Sequence, residues 1–432
     1  MRLLCLNVLA MASIGMAIQP ALAEGLDVKP VTPAVSATAK QASPSFSDAE
    51  VHDFLEKAHR AETISDPLKR CIAYPDPPGS HWSAEATRAY CVYHMQTFVS
   101  YEDAKAWVES GKAAKLDAYL SDAAKKQLTR KESAGLLDHI YFGHFSDASP
   151  ETRAMIDSWM RQRPKSAFAL AASGRSYLAA AWQARGTDYA SKTPRENFER
   201  MNAWLMFARR DLEQAIAIDP RVFPAYTAMI NIGMAQGDDE YAGQAARKGL
   251  AVQPANYSIY GQLMALAQPR WGGSLDEMSR ITAEAQTHAK DNGLLMLLLP
   301  LRAAYAAKLT DCNCADPNAY RTILDQMPAG ELLSGAAYAV DAADRKDLAV
   351  VYQSEVIRFY PWADIEKAKR VRHLIAFGER AWARMDADKL STQPSSGRDI
   401  LKILNNDYMT LGDFAAVKRT FLRMDELRAK EQ

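Results

Sequence analysis

Ala217-Ile218-Asp219-Pro220 recurs as Ala251-Val252-Gln253-Pro254, and the two prolines lie 34 residues apart. Tyr226 and Tyr260 each follow their proline by six residues. A small residue stands twelve positions before each proline, Ala208 and Ala242, and another stands five before, Ala215 and Gly249. Small side chains at such points let two helices approach closely, and a proline cannot continue a helix. The stretch therefore reads as a two-helix unit repeated in tandem. Gly237-Asp238-Asp239 forms the turn inside the second unit.

Thirty-four residues is the period of tetratricopeptide repeats. Gly174 and Tyr177 keep the first-helix spacing, but Ala208 comes 31 residues after Tyr177. That interval implies a 22-residue insertion from roughly Ala184 to Leu205, and the 56 residues between Pro164 and Pro220 exceed the period by the same 22. A later unit ends near Tyr360-Pro361, and Tyr408, Gly412 and Phe421 fit the spacing of another. Upstream, Ser47 and Glu50 form a capping box, with Phe46 and Val51 as the hydrophobic staple across it. Val51, Phe54, Leu55 and Ala58 follow at helical spacing, and further helical patterns cover about 84–100, 102–109, 113–130 and 150–161. No sustained apolar–polar alternation marks a strand. The expected fold is all-α: a tetratricopeptide-like helical-repeat array, an α-solenoid, over 161–432, preceded by an N-terminal helical region over 46–160.

The first residues read as an export signal. Arg2 precedes an apolar stretch from Leu3 to Ile18, and Ala21-Leu22-Ala23 is a small-residue cleavage pattern. Residues 24–45 are rich in Pro, Ala, Ser, Thr and Val without a period, the composition of a disordered linker. Cleavage after Ala23 leaves 51 basic against 52 acidic residues, and no later apolar run is long enough to span a bilayer. The expectation is a periplasmic or secreted protein. Near-zero charge and export both argue against nucleic acid. Removal of Cys5 leaves Cys71, Cys91, Cys312 and Cys314, an even count in an oxidising compartment, where four cysteines permit three pairings. Cys71–Cys91 would close a loop around the Pro-rich stretch 74–79, while Cys312-Asn313-Cys314 could form a redox-labile bridge.

Gln268-Pro269-Arg270-Trp271-Gly272-Gly273-Ser274, with Ala181-Trp182-Gln183-Ala184-Arg185-Gly186 and the repeat register, resembles a bacterial family known as domain-of-unknown-function family 4034. The resemblance covers roughly residues 100–310. It implies a divergent tetratricopeptide-type helical array and no particular reaction. The segment is also readable alone: Pro269 ends a helix, Gly272-Gly273 turns the chain, and Ser274 with Glu277 caps the next helix. Trp271 either plugs the space left by a shortened helix or contacts a ligand from the rim.

No metalloprotease, nucleophile-elbow, phosphate-loop or dinucleotide motif occurs, so neither a cofactor nor a metal site is expected. His139 and His144 are five residues apart, which does not place them on one helical face, and the surrounding aromatics favour packing. From Glu366 to Arg384 a basic helix of net +4 carries an apolar stripe including Val371, Leu374 and Trp382. It reads as a solvated face, with an anionic partner as the alternative. The functional expectation is a non-enzymatic scaffold binding a protein or peptide of the cell envelope, with Tyr226, Asn231, Tyr260, Arg270 and Trp271 as groove or rim contacts. The alternatives are an envelope-associated hydrolase with dispersed catalytic residues and a redox sensor using Cys312 and Cys314.

Overall fold

A computed structural model describes residues 46–309 and 317–430. The expected signal and linker (1–45) and the Cys312/Cys314 pair lie outside the described residues. Among those described, 21 α-helices pack in chain order and no strand occurs. The fold is all-α. No described helix is long and apolar enough to cross a membrane.

Proline sets the rhythm. Helices Pro150–Gln162, Arg195–Ile218, Asp239–Val252, Lys346–Phe359 and Arg380–Thr392 each end two residues before a proline: Pro164, Pro220, Pro254, Pro361 and Pro394. The residue between takes an extended or near-extended backbone, as at Asp219 (φ −141°, ψ 106°), because the following ring excludes the helical region. Successive helices then form hairpins. Ala167–Arg185 pairs with Arg195–Ile218, Phe223–Gln236 with Asp239–Val252, and Tyr257–Leu266 with Leu275–Thr287. Further along, Gly330–Ala342 pairs with Lys346–Phe359, Asp364–Ala376 with Arg380–Thr392, and Arg398–Leu411 with Phe414–Lys430.

Close approach inside the hairpins occurs at the small residues of the repeat. Ala208, Ala215 and Ala242 are fully buried. A Cβ on Gly174 would fall 2.4 Å from Leu212 Cγ, and one on Gly233 would fall 2.7 Å from both the Ala242 Cβ and the Asp238 carbonyl. The 22-residue excess does not form a separate unit. It lengthens both helices of one hairpin, to 19 and 24 residues, and adds the connection carrying the short 3-10 turn Ala190–Lys192.

The N-terminal helices do not dock where the chain next leads. Asp48–Glu62, Pro67–Ala73 and Ala84–His94 share one apolar core with helices from 317 onward. The expected helix over 84–100 stops at His94. The hub of this core is Lys346–Phe359, buried without interruption from Leu348 to Phe359. Polar groups on such a helix need partners inside the protein, and they are met in part: both polar atoms of the Gln353 amide and Glu355 Oε1 have none, whereas Arg358 is engaged. Arg358 Nε donates to the Cys71 carbonyl (2.9 Å), and its Nη1 contacts Asp76 (2.7 Å) and Glu355 (3.2 Å). Cys71 and Cys91 are joined by a disulfide beside it. Trp82 Nε1 donates to the Leu324 carbonyl (2.6 Å), which ties the Pro-rich loop down as well.

The basic helix expected over 366–384 is two helices, divided at Gly378 (φ 81°), and its charge is neutralised within the fold. Lys367 pairs with Asp364, Lys369 with Glu366, Arg372 with Asp341, and Arg384 with Asp388 and Asp413. Arg370, 1% exposed, is clamped by Glu62 and Asp386 and lies over the Trp382 ring. A count of net charge along one segment overlooks acids supplied by neighbouring helices.

Candidate binding groove

Three first helices of successive hairpins turn one face to a common cavity of about 290 Å³. Arg175 and Leu178 come from Ala167–Arg185, Thr227 and Asn231 from Phe223–Gln236, and Ser258 and Gln262 from Tyr257–Leu266. Each pair is three or four residues apart, the spacing that places side chains on one helical face. Tyr93, from Ala84–His94, and Asp138 and Phe142, from the helix Leu136–Phe145, close the other wall.

The polar groups here are incompletely used. Asp138 Oδ2 accepts a hydrogen bond from Gln127 Nε2 (2.8 Å), while the buried Oδ1 makes no hydrogen bond of full geometry. Burial pushes this carboxyl up to about 6, against the opposing pull of the Gln127 hydrogen bond, the Arg175 charge and weaker hydrogen bonding from Asn256 and Ser258. Arg175 is held by neutral oxygens. Its Nε and Nη2 donate to the Ser146 hydroxyl (3.1 and 2.8 Å), and its Nη1 donates to the Pro224 carbonyl and the Thr227 hydroxyl (both 3.2 Å). Burial lowers its pKa, and the charge of Asp138 offsets part of that.

Asn231 lines the cavity as well, and its Oδ1 accepts from Trp182 Nε1 (2.8 Å). Trp182 in turn meets the edge of Trp271 at 6.4 Å between ring centroids. Asn231 and Trp271 are thus joined through Trp182 into one aromatic–amide border. Arg270 turns the other way: its backbone N–H donates to Tyr305 Oη (3.1 Å), and its guanidinium lies 6.0 Å above that ring. Gly272, at φ 96°, makes the turn after Trp271, and Ser274 caps the next helix.

Tyr226 and Tyr260 do not line this cavity, although Tyr226 lines the larger one on the other side of its helix. They are 2% and 1% exposed, and their hydroxyls bond to the Pro220 carbonyl and to Glu284. Tyr226 packs where a Cβ on Gly249 would meet it at 2.9 Å, so it serves the close approach between helices. One residue of helix is a rotation of about 100°. That rotation separates Tyr226, facing inward, from Thr227, facing the groove. Arg175 and Gln262 escaped the sequence reading, and Asp138 entered it only beside His139, although Thr227/Asn231 and Ser258/Gln262 carry an i, i+4 polar signal once the hairpin register is known.

A larger cavity of about 570 Å³ lies between the second helices, lined by Arg209, Glu213, Tyr241 and Lys248 among others. Arg209 there pairs with Glu213 and Asp238 and covers the Tyr241 ring at 3.8 Å. The histidines are packed: His144 Nε2 bonds the Val99 carbonyl (2.7 Å), and His139 stacks on Tyr93. Among the described residues no group of three or more His, Cys, Asp or Glu could hold a metal ion. The chain matches no protein-family model and no curated protein.

Proposed function

We propose that the protein is an exported, non-enzymatic scaffold that holds a peptide segment of a cell-envelope protein in the groove between its first helices. The observation that carries this reading is the convergence of one face from three consecutive hairpins on a single cavity whose lining carries Arg175, Asp138, Thr227, Asn231, Ser258 and Gln262. Helical-repeat arrays offer such faces to extended partners. The tetratricopeptide-like register rests on the hairpin order, the proline rhythm and the Gly174 and Gly233 contacts. The family resemblance at Pro269–Ser274 is part of the same proposal.

Export rests on the Arg2 to Ala23 pattern, and the Cys71–Cys91 disulfide is compatible with an oxidising compartment. Binding is favoured over hydrolysis because Asp138 is the single carboxylate in the groove lining, whereas acid–base hydrolysis needs a second group beside it. Photo-crosslinking tests the reading. A benzophenone side chain at position 262 should capture a defined envelope partner, and one at position 244, in the outer cavity, should not. Equal capture from both positions, or turnover of a small substrate with no capture at 262, overturns it.

A further inference from the structure

We propose that the groove reads the main chain of an internal, uncharged peptide segment rather than a peptide terminus: Asp138 accepts a peptide N–H, the Asn231 amide donates to a peptide carbonyl, and Tyr93 and Phe142 flank an apolar side chain. The inference rests on the groove being a peptide site and specifies what it recognises there.

The hydrogen-bond polarity of the groove is fixed by its neighbours. An indole N–H can only donate, so the Asn231 atom facing Trp182 Nε1 is the oxygen. The two Nδ2 hydrogens of Asn231 are therefore left as donors. At Asp138 the reverse holds: Gln127 occupies Oδ2, and Oδ1 makes no hydrogen bond of full geometry, the Asn256 and Ser258 side chains being the carboxyl's weaker donors, so acceptor capacity remains on it. Gln262 adds an amide that can do both. A peptide unit presents one donor and one acceptor, and it matches this set without bringing a charge.

Charge excludes the termini. Arg175 and Asp138 are the oppositely charged residues of the lining, and each offsets the other. A terminal carboxylate would seek donors of Arg175 that already serve Ser146, Pro224 and Thr227, and it would meet the Asp138 charge. A terminal ammonium would meet Arg175. The walls supply apolar contact instead, with the Phe142 ring 52% exposed and Tyr93 opposite.

The test titrates 5-fluorotryptophan-labelled protein with acetyl-Ala-Ala-Phe-Ala-Ala-amide, following the Trp182 resonance, which is assigned by its loss in Trp182→Phe. The blocked peptide should shift that resonance. Methylating the central amide nitrogens one at a time should weaken binding about tenfold at one of them, the effect of a lost hydrogen bond. Acetyl-Ala-Ala-Phe with a free carboxylate, and Phe-Ala-Ala-amide with a free amine, should bind more weakly than the blocked pentapeptide. Asn231→Asp keeps the oxygen facing Trp182 and removes the donors, so it should lose about tenfold in affinity at an unchanged melting temperature. Full affinity in every methylated peptide, or tighter binding of either charged terminus, overturns the main-chain reading and leaves the groove a peptide site. No shift with any peptide, together with no capture from position 262, overturns both.

Discussion

Arg175 and Arg370 are arginines set into the same all-helical framework, and the chain treats them in opposite ways. Arg370 receives two carboxylates, with Glu62 bonded to both terminal nitrogens (2.7 and 3.1 Å) and Asp386 at 2.7 Å. Arg175 receives a hydroxyl from Ser146, another from Thr227 and the Pro224 carbonyl, and leaves Asp138 with one oxygen that makes no hydrogen bond of full geometry. The first arrangement closes a junction between segments 308 residues apart. The second keeps polar capacity at the wall of a groove. Both regions keep buried polar atoms without a hydrogen bond of full geometry, Arg370 Nε and Trp382 Nε1 at the junction and Asp138 Oδ1 at the groove; what separates them is that carboxylates answer Arg370 and neutral oxygens answer Arg175.

The difference can be broken most forcefully at the junction. Glu62→Ala strips Arg370 of its bidentate partner and should destabilise by about 3–5 kcal/mol in denaturant unfolding, because a buried charge is left with too few partners. A loss below about 1 kcal/mol would mean that this clamp does not hold the N-terminal helices. Removing the disulfide acts on the same junction by another route. Cys71 and Cys91 are 20 residues apart, and Cys71→Ala with Cys91→Ala should cost about 3 kcal/mol through the freed unfolded chain, measured as the melting shift against the oxidised protein.

Next in size is the hairpin register. Ala242→Trp, or Gly233→Ala, should destabilise by about 1–3 kcal/mol, since the nearest atoms to a Cβ on Gly233 include the Asp238 carbonyl and the Ala242 backbone nitrogen. Unchanged thermal stability in both would contradict the close approach.

A smaller effect separates the two regions by pH. Burial pushes Glu355, on the hub helix, up to about 8 despite the Arg358 charge. Its folded pKa lies above its unfolded value, so the folded state takes up a proton first and gains stability as pH falls. Between pH 9 and pH 7 the gain from this group is about 1 kcal/mol. Glu355→Gln should remove that part of the pH dependence of the melting temperature, and an identical slope in the variant would contradict the assignment. The smallest stability effect belongs to the groove: Asn231→Asp should change stability by less than about 0.5 kcal/mol, because its bond to Trp182 survives.

The hairpins were legible because their signals are local. Proline ends a helix wherever it stands, and a small residue at a fixed distance from it marks close approach; Pro220, Ala208, Pro254 and Ala242 carry both. The Ser47–Glu50 capping box is equally local and forms as read. The docking of the first three helices onto Lys346–Phe359 was not legible. Arg358 meets Cys71 across 287 residues, and nothing near either residue announces the other. The groove was legible in part. Asn231 lines the cavity and Trp271 lies at its border, whereas Tyr226 and Tyr260 are buried on other faces of the same helices, Tyr226 at the larger cavity. Asp138 stood out in the sequence only as the neighbour of His139 in the densest imidazole and carboxylate cluster, and its place beside Arg175 in the cavity had no local signal.

The most direct test fills each cavity in turn. Gln262→Trp occupies the groove and Gln244→Trp occupies the outer cavity, and both are titrated with acetyl-Ala-Ala-Phe-Ala-Ala-amide against the parent protein. The groove account predicts that binding is lost in Gln262→Trp and kept in Gln244→Trp. Binding that survives in Gln262→Trp and disappears in Gln244→Trp would contradict it.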